Sequence, residues 1–150
     1  MSPNFSSRPA QAEDEKAIKD FLALNELPFE DIRLETLNDF IVLQSEDKII
    51  GTVGLEICDT DGLLRSLAVT PTHRGQNLGL KLTALITEHA QQQGIRALYL
   101  LTTTADSFFA NLGYEIIERR AAPDEIQATE EFRRICPDSA VCMKKDIHAA

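Results

Sequence analysis

The sequence predicts one mixed α/β domain, and three observations carry that expectation. The chain has 150 residues, 43% apolar and 26% charged, which suits one buried core and would leave two poorly packed halves. Its hydrophobic period switches several times between helical spacing and strand-like runs. Glycine, proline and acidic turn residues fall at those switches. The expected order is helices, three strands, helix, strand, helix, strand, helix, strand, with residues 1–150 acting as a single domain.

Ala17, Ile18, Phe21 and Leu22 recur at helical spacing, behind acids that favour a helix N-terminus. Pro28 stops that pattern, and residues 29–37 suit a second short helix. Residues 40–43 and 49–53 are β-rich and flank the polar turn at 45–48, which reads as a hairpin. A third strand is expected over 63–69, after the turn signal Asp59, Asp61, Gly62. Beyond Pro71, Leu78, Leu82, Leu85, Ile86 and His89 fall on one helical stripe, and Gly94 suits the position just past its end. Residues 96–101 form a near-continuous apolar run, the mark of a strand buried on both faces. A short helix over 105–112 ends at Gly113, a strand follows over 114–118, a polar helical stretch over 123–134, and a last strand over 140–144.

Charge and cysteine usage narrow the function classes. Fifteen basic and 24 acidic side chains give a formal net charge of −9, which repels nucleic acid and anionic lipid. An anionic ligand must then be held by a local patch or by backbone dipoles. Cys58, Cys136 and Cys142 are an odd count without CxxC spacing, and His73, His89 and His148 add no ligand pair, so no disulfide framework or metal site is expected. The N-terminus lacks a secretory h-region, and no apolar run approaches the ~18 residues a bilayer requires. The expected location is the cytoplasm.

Between Gly62 and Thr87 there is no Asp or Glu, where their overall share would place about four. Arg65, His73, Arg74 and Lys81 stand in that stretch. Its centre is a strand, a glycine-bearing turn and the start of an amphipathic helix, an arrangement that aims unpaired N–H groups outward at the positive end of a helix dipole. Phosphate is the common occupant of such a place. Gly75 and Gly79 allow close approach of a ligand to the backbone, and Asn77 tolerates positive φ. The segment is neither GxxxxGK[ST] nor GxGxxG, so nucleoside triphosphate and dinucleotide readings lose their main support.

The run LAVTPTHRGQNLG over residues 67–79 resembles the acetyl-CoA-binding motif Q/R-x-x-G-x-G/A of the GNAT superfamily of N-acetyltransferases: Arg74 and Gly79 match, and Asn77 replaces the first motif glycine. ADSFFANLGY over 105–114 is similar to the second signature, A-x-x-F-Y-x-x-x-G-F/Y. RSLAV at 65–69, LLTT at 100–103 and the tail from Ala122 to Met143 resemble two narrower groups. One is the acetyltransferase domain of N-acetylglutamate synthases. The other is the set of small acetyltransferases encoded in bacterial arsenic-resistance operons.

The resemblance implies a central mixed, mostly antiparallel sheet flanked by helices and splayed between its fourth and fifth strands. It implies acetyl-CoA as cosubstrate, no metal, and direct transfer of the acetyl group to the primary amine of a small molecule, an amino acid or a toxic amino-acid analogue. Backbone of Leu67, Ala68 and Val69 is assigned to pantetheine, with the Leu67 N–H on the thioester carbonyl. Arg74, Gly75, Gln76, Asn77, Leu78, Gly79, Leu80 and Lys81 are assigned to the pyrophosphate, and Thr102 and Phe108 flank the cofactor. Arg65 is a candidate to fork a substrate carboxylate, with a surface ion pair as its alternative.

Phe109 replaces the tyrosine that commonly protonates the thiolate, and Leu63 replaces a frequent base glutamate. Ser107, Thr103 and Tyr99 become candidate acids, and Glu56 and Asp61 candidate bases acting through water. Residues 119–138 are expected over the acceptor pocket, where Glu125, Gln127, Glu130 and Arg134 can select substrate. Homodimers are frequent in the superfamily. The missing tyrosine and glutamate support a rival reading, an acyl-CoA-binding sensor or interaction module. A protein N-terminal acetyltransferase is the third.

Overall fold

A computed structural model describes residues 5–73, 77–135 and 139–147. In chain order the elements are β1 (Ser6–Pro9), α1 (Glu15–Leu24), β2 (Phe40–Ser45), β3 (Lys48–Cys58), β4 (Asp61–Val69), α2 (Leu78–Gln92), β5 (Ala97–Thr102), α3 (Asp106–Ala110), β6 (Glu115–Ile117), α4 (Asp124–Gln127) and β7 (Val141–Asp146). The strands make one seven-stranded mixed sheet in the order β1-β2-β3-β4-β5-β7-β6. Strands β4 and β5 pair in parallel, whereas β1–β2, β2–β3, β5–β7 and β6–β7 are antiparallel. The chain falls into two compact units, residues 1–55 with 66–88, and residues 56–65 with 89–150. Among the described residues no helix is long and apolar enough to cross a membrane.

In the first unit, α1 presents Ile18, Phe21 and Leu22 to a core shared with Ile32, Leu37, Phe40, Val42 and Ala68. Those three residues lie on one helical face, which is why the period was readable. The β2–β3 hairpin turns through Glu46 and Asp47, both at positive φ (50° and 65°), the two-residue turn whose twist suits antiparallel strands.

Two expectations fail in this unit. Residues 29–37 do not form a helix; turns lead instead to a single 3-10 turn at Thr36–Asp39. Ile32 and Leu37 are both buried, at 1% and 2% exposure, and a spacing of five would put them on different faces of a helix. Strand β1 was not expected at all. Ser6–Pro9 has no apolar alternation, and it is held by Arg8, which donates to Gln44 Oε1 at 2.7 Å and forks both carboxylate oxygens of Asp14 at 2.7 and 2.9 Å.

The second unit is built on β5, whose first four residues are all buried, as the unbroken apolar run predicts. The parallel ladder joins residues 61–63 to 97–99, while β5 stays paired with β7 as far as Thr102↔Val141. Leu63, Ala97, Tyr99, Ala122, Ile126, Phe132 and Cys142 form the unit's core. Residues 123–134 are not one helix: α4 is four residues long, and a π turn follows at Glu131–Ile135.

Candidate active site

In the first unit, the backbone departs from a regular strand at Ser66. Its φ is +59° in the middle of β4, and a left-handed residue inside a strand breaks the alternation and bends the chain. The bend is supported from β3, where the buried Thr52 hydroxyl donates to the Ser66 carbonyl at 2.7 Å. Farther along β4, the Thr70 N–H donates to the Ile50 carbonyl at 2.8 Å. Gly51 faces this stretch so closely that an added β-carbon would stand 3.3 Å from the Ala68 carbonyl oxygen. Leu67 and Val69 are half-buried and Ala68 is buried.

Helix α2 begins just after Asn77, whose φ is +60° and whose carbonyl accepts the Lys81 N–H at 3.1 Å. Leu78 is buried, Gly79 half-buried, and Leu80 and Lys81 exposed. The first amides of an α-helix have no carbonyl four residues back within the helix, so they are donors for capping groups, water or a ligand. The Lys81 ammonium lies 5.9 Å from the Phe5 ring centroid. Arg74, Gly75 and Gln76, assigned above to the pyrophosphate, lie outside the described residues.

The second unit carries the charged groups. Arg65 is not a solvated surface arginine: its side chain is fully buried, with Nη1 3.1 Å from Glu56 Oε2 and Nε 3.2 Å from Glu131 Oε2. The fork expected to hold a substrate carboxylate is thus engaged by carboxylates of the protein. Glu131 is itself 4% exposed, and sequence reading passed over it in favour of its neighbours Glu125, Gln127 and Glu130. The π turn explains why. Its extra residue per turn shifts the helical register, so both Glu131 and Phe132 turn inward.

Glu125 is exposed, and its backbone carbonyl accepts the Cys58 thiol at 3.8 Å. Gln127 is spent on structure, donating to the Ala122 carbonyl at 2.6 Å. Burial, then the carboxylates of Glu56, Glu125 and Asp61, push the Cys58 thiol up to about 11. Burial also pushes Cys142 up to about 11, so neither is a thiolate near neutral pH. Asp61 and Tyr99 are both raised, chiefly by burial.

Near α3, the Thr102 hydroxyl accepts the Ala105 N–H at 2.9 Å and caps the approach to the helix. Ser107 is exposed and Phe108 half-buried. Phe109 is buried edge-on against Phe108 and Tyr114, with centroids 5.1 and 5.3 Å apart. The Tyr114 hydroxyl is buried without a hydrogen-bond partner, and burial raises it strongly. Among the described residues no group of three or more His, Cys, Asp or Glu side chains is placed to hold a metal.

A family model described as an acetyltransferase (GNAT) domain matches residues 36–116. An amino-acid acetyltransferase of Aeromonas salmonicida (strain A449) is 28% identical over 100 residues, covering 65% of this chain and 23% of the relative. The chain therefore spans about a quarter of the length of that protein.

N-acetylglutamate synthase from Neisseria gonorrhoeae, complexed with coenzyme A and N-acetyl-glutamate, superposes with a TM-score of 0.82 at 20% identity. The match covers 99% of this chain and 36% of the synthase. Rv2747 from Mycobacterium tuberculosis, in complex with CoA and NLQ, gives 0.77 at 20% identity, covering 94% and 98%. At such identities the superpositions establish a shared fold. The family match runs from the turn before β2 into β6, through the bent β4 and the start of α2. More than half of the sequence lies within it, and the chain belongs to the GNAT acetyltransferase family.

Proposed function

We propose that this chain is an acetyl-CoA-dependent N-acetyltransferase domain that moves an acetyl group to the primary amine of a small molecule, an amino acid or an analogue of one. The observation that carries the reading is the bend at Ser66 in β4, in a chain whose sequence has no acid from residue 70 to 77, where the next helix opens. A bent strand turns main-chain groups away from the ladder, where a ligand can reach them. Main-chain groups of Leu67, Ala68 and Val69 would then take the pantetheine arm, and the Leu67 N–H the thioester oxygen. Amides from Arg74 to Lys81 would take the pyrophosphate, which suits an acidic protein because fixed dipoles act at short range. Thr102 and Phe108 would border the arm.

Acetyl-CoA supplies the activated acetyl group. The chain's part is to hold the carbonyl, bind the amine and accept its proton. Direct attack by the amine is supported over an acetyl-cysteine route by the raised Cys58 and Cys142 thiols. Amino-acid acetyltransferase relatives and a synthase bound to N-acetyl-glutamate support an amino-acid acceptor, and the exposed Glu125 would influence which one enters.

A second reading, an acyl-CoA sensor without catalysis, is favoured by Phe109, which packs inward and offers no proton. Thiol release from acetyl-CoA, followed against a panel of amino acids, simple amines and arsenical analogues, decides between them. Turnover with one class of acceptor supports the enzyme. Binding of acetyl-CoA with no release above the hydrolytic background establishes the sensor.

A further inference from the structure

We propose that Thr52 is a positioning residue for acetyl transfer: its hydroxyl holds the Ser66 carbonyl so that the Leu67 N–H, in the same peptide, is aimed at the thioester oxygen. This rests on the acetyltransferase reading and adds to it a residue outside both sequence motifs. Thr52 is 0% exposed. It stands in β3 within residues 50–55, all of them buried, where its neighbours are Ile50, Gly51, Val53, Gly54 and Leu55. A hydroxyl placed there loses its water, and a hydrogen bond is what offsets that loss. Valine has nearly the same shape and carries no such cost. The hydroxyl of Thr52 makes its bond far along the chain, to the Ser66 carbonyl at 2.7 Å.

The atom it holds belongs to the strained residue. Ser66 has φ +59°, a conformation that a side chain resists, and a strained residue persists when its surroundings fix it. The residues just before Thr52 fix β4 beyond the bend. The Ile50 carbonyl accepts the Thr70 N–H at 2.8 Å, and Gly51, lacking a β-carbon, lets the Ala68 carbonyl oxygen approach. The Ser66–Leu67 peptide is trans, and its plane carries the C=O and the N–H on opposite sides. Holding the Ser66 oxygen toward Thr52 therefore turns the Leu67 N–H away from Thr52. Without the hydroxyl the plane is free to rotate, and donor and acceptor swing together.

In direct transfer the neutral amine nitrogen bonds to the thioester carbon, and the carbonyl π pair moves onto oxygen. That oxygen carries the charge which the Leu67 N–H meets, and such a donor counts most when it is fixed before the charge forms. The pair then returns, the C–S bond breaks with its electrons on sulfur, and the surplus amine proton ends on the sulfur. Coenzyme A has no acetyl oxygen, so the aim of this N–H bears on turnover rather than on coenzyme A affinity.

The test uses the whole chain, with kcat and the acetyl-CoA KM measured on the best amine of the panel and coenzyme A affinity measured by calorimetry. Thr52→Val keeps the shape and removes the donor. It should lower kcat about tenfold or more, while the acetyl-CoA KM and the coenzyme A affinity stay within about twofold, the mark of an interaction made in the transition state. Thr52→Ser keeps the donor and gives up a buried methyl group, and it should recover most of the loss in kcat. If packing alone matters, Thr52→Val works better than Thr52→Ser, and that order overturns the proposal. A loss shared equally by kcat and coenzyme A affinity means general distortion of the site and overturns it too. If Thr52→Val does not fold, Thr52→Cys, whose thiol is a weak donor, is compared with Thr52→Ser; equal kcat in the two overturns the proposal. Wild-type protein that binds coenzyme A but acetylates no amine would overturn the enzymatic reading and this inference together. Wild-type turnover that Thr52→Val leaves unchanged would overturn this inference alone.

Discussion

Gly54 on β3 faces the ring of Phe40 so closely that a β-carbon there would overlap ring carbons. Phe40 is 1% exposed and belongs to the first core, so the ring has little room to retreat. Gly54→Ala should destabilise the protein by about 1–3 kcal/mol, read as a lower urea midpoint; an unchanged midpoint would show that the ring yields freely. Asp14 gives a second prediction. Its hydrogen bond with Arg8 holds it below its ordinary value of 3.8, so its contribution is full above that value and is lost as pH falls through the lowered one. Asp14→Asn should therefore melt below the wild type at pH 7, with the gap closing toward pH 2. A constant gap would assign the effect to lost packing. Residues of this kind were only partly legible. Arg65 was a candidate from its strand and charge, but its partner Glu131 comes from 66 positions away in the chain, and no local pattern announces such a pair.

Helices whose burial comes from one repeating face were readable, and segments held by side-chain clasps were not. Helix α2 buries Leu78, Leu82, Ile86 and Ala90 along one stripe, and its end follows from local chemistry. Gly94 has φ +82°, with the Ile95 N–H on the Ala90 carbonyl and the Gly94 N–H on that of Gln91, the pair of bonds that closes a helix through a left-handed residue. Helix α1 closes in the same way through Glu26 at φ +59°, where a side chain is strained. Glu26→Gly should stabilise by about 0.5–1 kcal/mol, and Gly94→Ala should cost about 1 kcal/mol. Open space surrounds Gly94, so that cost is backbone strain alone. Thermal melts of the two variants shifting in the same direction would contradict the assignment. Strand β1 and the π turn show the other case, since Arg8 and Arg65 secure them through partners that no hydrophobic period encodes.

For the whole molecule, apolar spacing and turn residues predicted six of the sheet's seven strands in order, all but β1, and the bend at Ser66 lies inside the RSLAV run that carried the resemblance. What the motifs left unspecified is how charge is arranged. A net charge of −9 argues against an anionic ligand at long range, yet the account requires one at short range, held by main-chain amides where side-chain acids are missing. Titration with coenzyme A, followed by calorimetry and by backbone amide exchange, tests that requirement most directly. The account predicts saturable heat at one site per chain, with slowed exchange at the amides of residues 78–81 and 67–69. A folded chain that gives no heat, and whose amides at those positions exchange at the same rate with and without coenzyme A, would contradict it.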